Sequence, residues 1–253
     1  VPKIDALVEA AKKDGQKALA LTDINNLYGA IEFYKECKDR GIQPIVGVEF
    51  SLAKYSPPKN PSRLRQTESE GKNSLVLLSR NAIGYHNLIK LVTSAQLDHG
   101  DLAPILDWEF LDTHHEGLLA IIPLTEGELA PLLENHHESA QEILAKYQKT
   151  FGEFLYLEAR REKNNPLHEN FLQGAVQFAK ENHLPLVATN NVRYLSKDDQ
   201  EVLEVVLGIG GFRSTHDHID GEAPDFSFLP QEEMSELFSD LPEALENSIQ
   251  ISE

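Results

Sequence analysis

An α/β fold is predicted from three observations on the 253-residue sequence. Six short apolar runs alternate with segments of helical spacing. The runs are nearly continuous in apolar residues, as strands covered on both faces are. The length suits one large α/β domain or two small ones. Such alternation predicts a parallel sheet, open or closed into a barrel.

The elements follow in order. Ile4, Leu7, Val8 and Ala11 recur at helical spacing, and Gly15 supplies a stop. Residues 18–21 form a short apolar run ending at Thr22 and Asp23, read as a buried strand. Residues 27–40 are helical and closed by Gly41, and 42–53 read as the second strand. Residues 54–72 are rich in Pro, Ser, Asn and charge, and predict a polar surface excursion. Strands are then expected at 74–79, 117–124, 154–159 and 184–189. Helices are expected at 82–96, 127–134, 139–150 and 166–182. After Asp198 the pattern is helical, broken by glycines at 208–211 and an irregular His/Asp segment at 215–225. There is no internal repeat, and no Gly-rich phosphate loop follows the first strand.

Composition narrows the function classes. One cysteine, Cys37, excludes an internal disulfide and points to a reducing compartment, here the cytoplasm. No apolar run is long enough to span a membrane. The start, Val1-Pro2-Lys3-Ile4, is neither Met nor a signal peptide, and reads as the beginning of a piece of a longer chain. The net charge is −18; residues 198–253 hold 15 acidic residues against one basic, Arg213. A surface of that sign repels phosphate backbones, so little direct nucleic-acid binding is expected.

Chemistry in a parallel α/β fold gathers at the carboxyl ends of strands. Asp23, Glu49, Ser74, the stretch 158–162 and the stretch 190–193 fall at or near such positions. Asp23 and Glu49 are carboxylates within apolar strands. Alone, Asp23 reads as a cap or turn residue, and Glu49 as an edge residue facing water. Together they predict a shared polar cleft needing a counter-charge or a metal. None of the ten histidines falls at a strand's carboxyl end: His86, His168 and His183 fall in helices. His216 and His218, beside Asp217 and Asp220, make the most metal-like local cluster. Cys37 reads as a small core residue.

Three segments, "KALALTDINNLYGAIEFYKECKDRGIQPIVGVEFSLA", "SLVLLSRNAIGYHNLIKL" and "LPLVATNNVRYLSKDD", resemble the polymerase-and-histidinol-phosphatase (PHP) domain. More narrowly, they are similar to the form at the amino end of bacterial DNA polymerase III alpha subunits. "FLPQEEMSELFSDLPEALENSIQIS" resembles the end of that domain. The resemblance implies a (β/α)7 barrel, a distorted relative of the TIM barrel. It takes residues 1–253 as a single domain, with the first strand upstream of Val1, and 226–253 as a helical transition toward the polymerase body.

Active members of this family hold several metal ions at the barrel mouth and hydrolyse phosphoesters. The resemblance places their ligand positions at Asp23, Ile24, Glu49, Ser74, Glu162, Asn191 and Arg193. Asp and Glu are kept at Asp23 and Glu49. Ile24, Ser74, Glu162 and Arg193 stand where histidines would, and Asn191 where an aspartate would. Ile24 has no lone pair to offer, Ser74 and Asn191 only weak neutral oxygens, and Arg193 brings a permanent positive charge. A vestigial metal cleft is therefore expected, with no catalytic residue and no metal or other cofactor in this stretch. Arg193 is expected to replace the metals as counter-charge to Asp23, Glu49 and Glu162, at a cost on the order of 3–5 kcal/mol if removed.

By resemblance, the domain is a non-catalytic scaffold and the docking platform for a separate proofreading exonuclease subunit. The parent would be a DNA-directed DNA polymerase, a nucleotidyltransferase using magnesium, with its catalytic carboxylates beyond Glu253. The competing reading is a metal-dependent phosphoesterase or 3′–5′ nuclease, which needs metal-activated water. A third is an unrelated barrel enzyme using the segment from His216 to Asp220.

Overall fold

A computed structural model describes residues 2–52, 73–97, 104–129, 132, 137–161, 166–209 and 225–253. The excursion 54–72, Glu162, and the cluster from His216 to Asp220 lie outside the described residues.

Six strands build one sheet: β1 Ala18–Ile24, β2 Gln43–Leu52, β3 Asn73–Ser79, β4 Leu118–Ile122, β5 Leu155–Arg160 and β6 Leu186–Thr189. Their spatial order is their chain order. Among the described residues the sheet curls into a six-stranded half-barrel; the (β/α)7 barrel implied by the resemblance has its first strand upstream of Val1. The expectation of an all-parallel sheet needs correction: β3 runs antiparallel to both β2 and β4, while the other pairs are parallel. The reversal places the start of β3 at the same end as the finish of β2, with Ser51 opposite Ser74. Ser74 therefore reaches the mouth of the half-barrel although it opens its strand.

Nine helices are described: α1 Ile4–Lys13, α2 Ala30–Arg40, α3 Ala82–Leu97, α4 Trp108–Thr113, α5 His137–Phe151, α6 Pro166–Glu181, α7 Gln200–Ile209, α8 Gln231–Leu237 and α9 Pro242–Ser252. Gly41 ends α2 in the left-handed conformation that glycine adopts without strain. The short α4 had no periodic signal in the sequence; it is nucleated by Asp107, whose carboxylate accepts from the Glu109 amide at 2.9 Å. The helix expected at 127–134 does not begin where predicted, because residues 127–129 are bends. His183 lies just past α6 with φ 52°, in the turn that leads into β6.

Strand alternation sorts side chains between two layers. On the outer face Val48, Phe50, Leu75, Leu77, Ala120 and Leu157 join Leu88, Leu91, Tyr147 and Phe178 in the main core. A second core holds Val8, Ala11, Phe33, Cys37 and Ile42 between α1, α2 and β1. Burial there pushes the Cys37 thiol up to about 11, consistent with a packing residue. On the inner face Val76, Leu78, Leu119, Ile121, Tyr156 and Val187 pack with Ile251 of α9. Gly47 is required there, since a Cβ would stand 2.5 Å from Leu78 Cδ2.

The C-terminal helix closes one edge. α9 packs along β6, and the Asn247 amide donates to the Leu186 carbonyl at 2.7 Å. That bond satisfies a backbone acceptor an edge strand would leave open. Asp14, at the end of α1, accepts from the Gln231 amide at 3.0 Å and so caps α8 across the chain.

Candidate functional site

The inner face of the half-barrel lines a cleft of 1410 Å³. Register decides which candidates enter it. Ile24 pairs with Glu49, Glu49 with Val76, Val76 with Ile121 and Ile121 with Tyr156. These residues form one row across the inner face, and Glu158 of β5 pairs with Val187 in the next.

Asp23 lies out of step with this row. It pairs with Val48, a residue of the outer core. Its carboxylate accepts from the Gly29 amide at 3.4 Å, just ahead of α2. An acceptor there meets the free amides and positive dipole end of the helix. Asp23 and Glu49 both line the cleft, but alternation along β1 sets the Asp23 side chain against the start of α2, out of the row that holds Glu49. Ile24 takes the inward position instead, 48% exposed at the mouth.

Glu49 is mostly buried. Burial raises its carboxyl above the ordinary glutamate value, with Glu126 and Glu158 adding repulsion. Arg193 and a hydrogen bond from Ser74 pull the other way without cancelling it. The Arg193 guanidinium stands 4.0 Å from Glu49 Oε2 and is partly exposed. It is held in place through its backbone, whose amide donates to the Phe226 carbonyl at 2.8 Å. Asn191 lines the same rim.

The best-connected cation at the mouth is a different arginine. Arg160, at the end of β5, has a side chain only 7% exposed. Its Nη2 donates to Thr125 Oγ1 at 2.6 Å and Glu126 Oε1 at 3.1 Å, and its Nη1 lies 3.8 Å from Glu158 Oε2. Burial alone would raise Glu126; Arg160 and Thr125 outweigh it and hold that carboxyl below the ordinary value. Glu158 is buried and saturated: it accepts from the Leu124 amide at 2.7 Å and from the Thr189 hydroxyl. The two arginines divide the carboxylates between them: Arg193, at the solvent edge, faces Glu49, and the buried Arg160 faces Glu126 and Glu158.

Sequence reasoning singled out Asp23, Ile24, Glu49, Ser74, Asn191 and Arg193 at this mouth; it marked the stretch 158–162 without giving Arg160 a role, and did not find Glu126, Thr125 or Thr189. A signal for Arg160 existed: Glu158 and Arg160 are two apart on a strand, and so share a face. Glu126 sits in a loop and carries no periodic signal. A second knot braces the rim: Asn25, buried with φ 54°, accepts from the Ser51 amide at 2.9 Å, and its carbonyl accepts from Gln96 at 2.7 Å.

A family metal site asks for imidazole and carboxylate lone pairs converging on open positions. Here Ile24 is apolar, and two guanidinium groups already face the carboxylates. Among the described residues no group of three or more His, Cys, Asp or Glu is placed to hold a metal ion. The donors that the described residues bring to the mouth, Glu49 and Ser74 beside two guanidinium groups, do not by themselves make up a polynuclear centre.

The family model for the PHP domain matches residues 1–162. The DNA polymerase III subunit alpha of Borreliella burgdorferi is 36% identical over 258 residues, covering 99% of this chain and 22% of that protein. The Vibrio cholerae subunit is 32% identical, covering 99% and 21%. The chain thus spans about a fifth of the length of the curated relatives it matches. Among solved structures, a proposed metal-dependent phosphoesterase from Bifidobacterium adolescentis aligns with TM-score 0.49 and 11% identity, over 75% of this chain and 82% of that one. No helix among the described residues is long and apolar enough to cross a membrane. The chain belongs to the PHP domain family, in the form found in DNA polymerase III alpha subunits.

Proposed function

We propose that this domain is a non-catalytic scaffold within a replicative DNA polymerase alpha subunit, acting in the cytoplasm. One observation carries the reading: Arg160 and Arg193 stand against Glu49, Glu126 and Glu158 at the mouth where active PHP domains hold metals. A fixed guanidinium gives carboxylates their counter-charge but has neither an open coordination position nor a bound water to activate. The cleft is vestigial, with Ile24, Glu49, Ser74, Asn191 and Arg193 as its remnants and Asp23 turned to capping. Similarity to polymerase subunits along the whole chain supports a place in DNA replication. In this reading the magnesium-dependent nucleotidyl transfer belongs to residues outside this chain. The domain braces that body and carries the docking platform for a proofreading exonuclease subunit.

The test is isothermal titration of the intact subunit with zinc and manganese, alongside a phosphodiesterase assay on a 3′-labelled oligonucleotide and co-purification with the exonuclease subunit. The reading expects no tight multi-site metal binding, no cleavage assignable to this domain, and a stable exonuclease complex. Tight metal binding abolished by Glu49→Gln would favour the phosphoesterase or nuclease instead. A subunit that binds no exonuclease would remove the docking role.

A further inference from the structure

The sheet is open: among the described residues β1 and β6 are its two edges, and they do not pair with each other. Residues 226–253 bridge them. Phe228 packs against the second core, on the side of α1, α2 and β1. The Gln231 backbone amide, which opens α8, donates to the Asp14 carboxylate at 3.0 Å, and the Gln231 side chain donates to the Asp14 carbonyl. At the joint between α8 and α9, Phe238 and Leu241 enter the main core. Arg161 donates there to both Asp240 carboxylate oxygens and to the Leu237 carbonyl, and its Nε lies 3.3 Å from Glu169 of α6. α9 then runs along β6 through Asn247, and the Gln43 side chain donates to the Ser252 carbonyl at 2.6 Å. Gln43 opens β2 and Asp14 precedes β1, so both of these ties lie at the end of the half-barrel opposite the mouth.

The first residues of the same segment hold the mouth. The Arg193 amide donates to the Phe226 carbonyl at 2.8 Å, and the Phe228 amide donates to the Tyr194 carbonyl at 3.0 Å. The Phe226 amide donates to the Tyr194 hydroxyl at 2.9 Å, and the Asn190 side chain donates to the Ser227 carbonyl at 2.7 Å. Arg193 in turn faces Glu49 at 4.0 Å. We infer that residues 226–253 are a clasp across the open side of the half-barrel. They and the loop 190–194 open and close as one unit, so the hold on the two helices sets whether Arg193 stands against Glu49. The size of the helices makes the unit cooperative. α8 has seven residues and α9 eleven, too few to persist as helices once detached. Within its own span α8 fully buries no residue, and α9 only Ala244. The segment is fastened at separate points instead, and losing one loosens the others. Such a unit opens at a lower free energy than the sheet behind it. Coupling between its ends is reciprocal: what weakens the far end weakens the mouth, and the reverse. The clasp operates in this way whether or not the mouth is catalytic.

The test is hydrogen exchange by mass spectrometry on the intact subunit, comparing wild type, Asp14→Ala/Gln43→Ala and Tyr194→Phe. The first variant cuts the two ties at the far end, roughly 20 Å from the mouth, the length of β1 at about 3.3 Å per residue. Tyr194→Phe removes only the hydroxyl to which the Phe226 amide donates. Melting by circular dichroism verifies that each variant folds. In Asp14→Ala/Gln43→Ala, exchange in 226–241 and in 190–194 is expected to rise together by about tenfold, while 75–78 of β3 and 118–122 of β4 keep their wild-type rates. Tyr194→Phe is expected to raise exchange in the same two segments, reaching α8 from the mouth side. Faster exchange in 226–241 with 190–194 unchanged would overturn the inference, because the two ends would then be independent. So would no change in either segment. An equal rise in β3 and β4 would also overturn it, because the clasp would then open only with the whole fold. Should the far-end variant not fold, Tyr194→Phe decides alone: a rise confined to 190–194 and 226–228, short of α8, rejects the coupling.

Discussion

Replacing Arg160 by alanine removes the buried cation of the mouth. The guanidinium lies 3.8 Å from Glu158 and 3.1 Å from Glu126, and donates to Thr125 at 2.6 Å. At an effective dielectric of ~20, one such contact is worth about 4 kcal/mol before desolvation is counted. The Glu126 side chain is 44% exposed, which discounts its share. Glu158 is buried and stays behind uncompensated, so the net loss is expected at the low end of the buried-pair range, about 3 kcal/mol. Urea unfolding, read as a change in midpoint at constant slope, measures it. Acid adds an independent check. Arg160 holds the folded carboxyl of Glu126 below its ordinary value. The stabilisation from that group is therefore present above the unfolded glutamate pKa, about 4.3, and is lost as pH falls through the folded value. The gap between wild type and Arg160→Ala should narrow on acidification through that window. A loss below about 1 kcal/mol at neutral pH, the value of a surface pair, would refute the reasoning. A gap indifferent to pH would do the same.

Three further outcomes are expected. Arg193→Ala should cost under about 1 kcal/mol by the same urea assay, because that ion pair is long and partly exposed. Glu49→Gln should be more stable than wild type at neutral pH and lose that advantage in acid. The raised folded carboxyl of Glu49 makes its contribution less favourable as pH rises through the glutamate range, and thermal unfolding at the two pH values checks the sign. Asn25→Ala should lose about 1–3 kcal/mol, since its side-chain bonds to Ser51 and Pro104 vanish in a buried site and alanine resists φ 54°; Asn25→Gly, which relieves the backbone, should lose less.

Much of the sheet was legible because its strands are apolar on both faces and are punctuated by polar or glycine-bearing turns. The reversal of β3 was not, since strand direction leaves no mark on apolar content; pairing partners set it. Short α4 escaped because six residues carry too little period, though Asp107 was a readable cap. At the mouth, Glu49 and Arg193 stood out by residue type. Asp23 reaches the cleft out of the Glu49 row, because one residue of register moves a side chain to the other face of the sheet. Arg160 lay within the polar stretch 158–162 but carried no named role, and only the fold brings loop residues Thr125 and Glu126 to it.

The antiparallel pairing of β2 and β3 makes Leu52 and Asn73 direct neighbours. The two strand ends that flank residues 53–72 are already held side by side by the ladder. Lengthening or trimming that insertion changes chain-closure entropy by only about 0.6 kcal/mol per doubling, and leaves strand register alone. The junction of β2 and β3 is thus a place where the sequence can grow or shrink at little thermodynamic risk to the half-barrel.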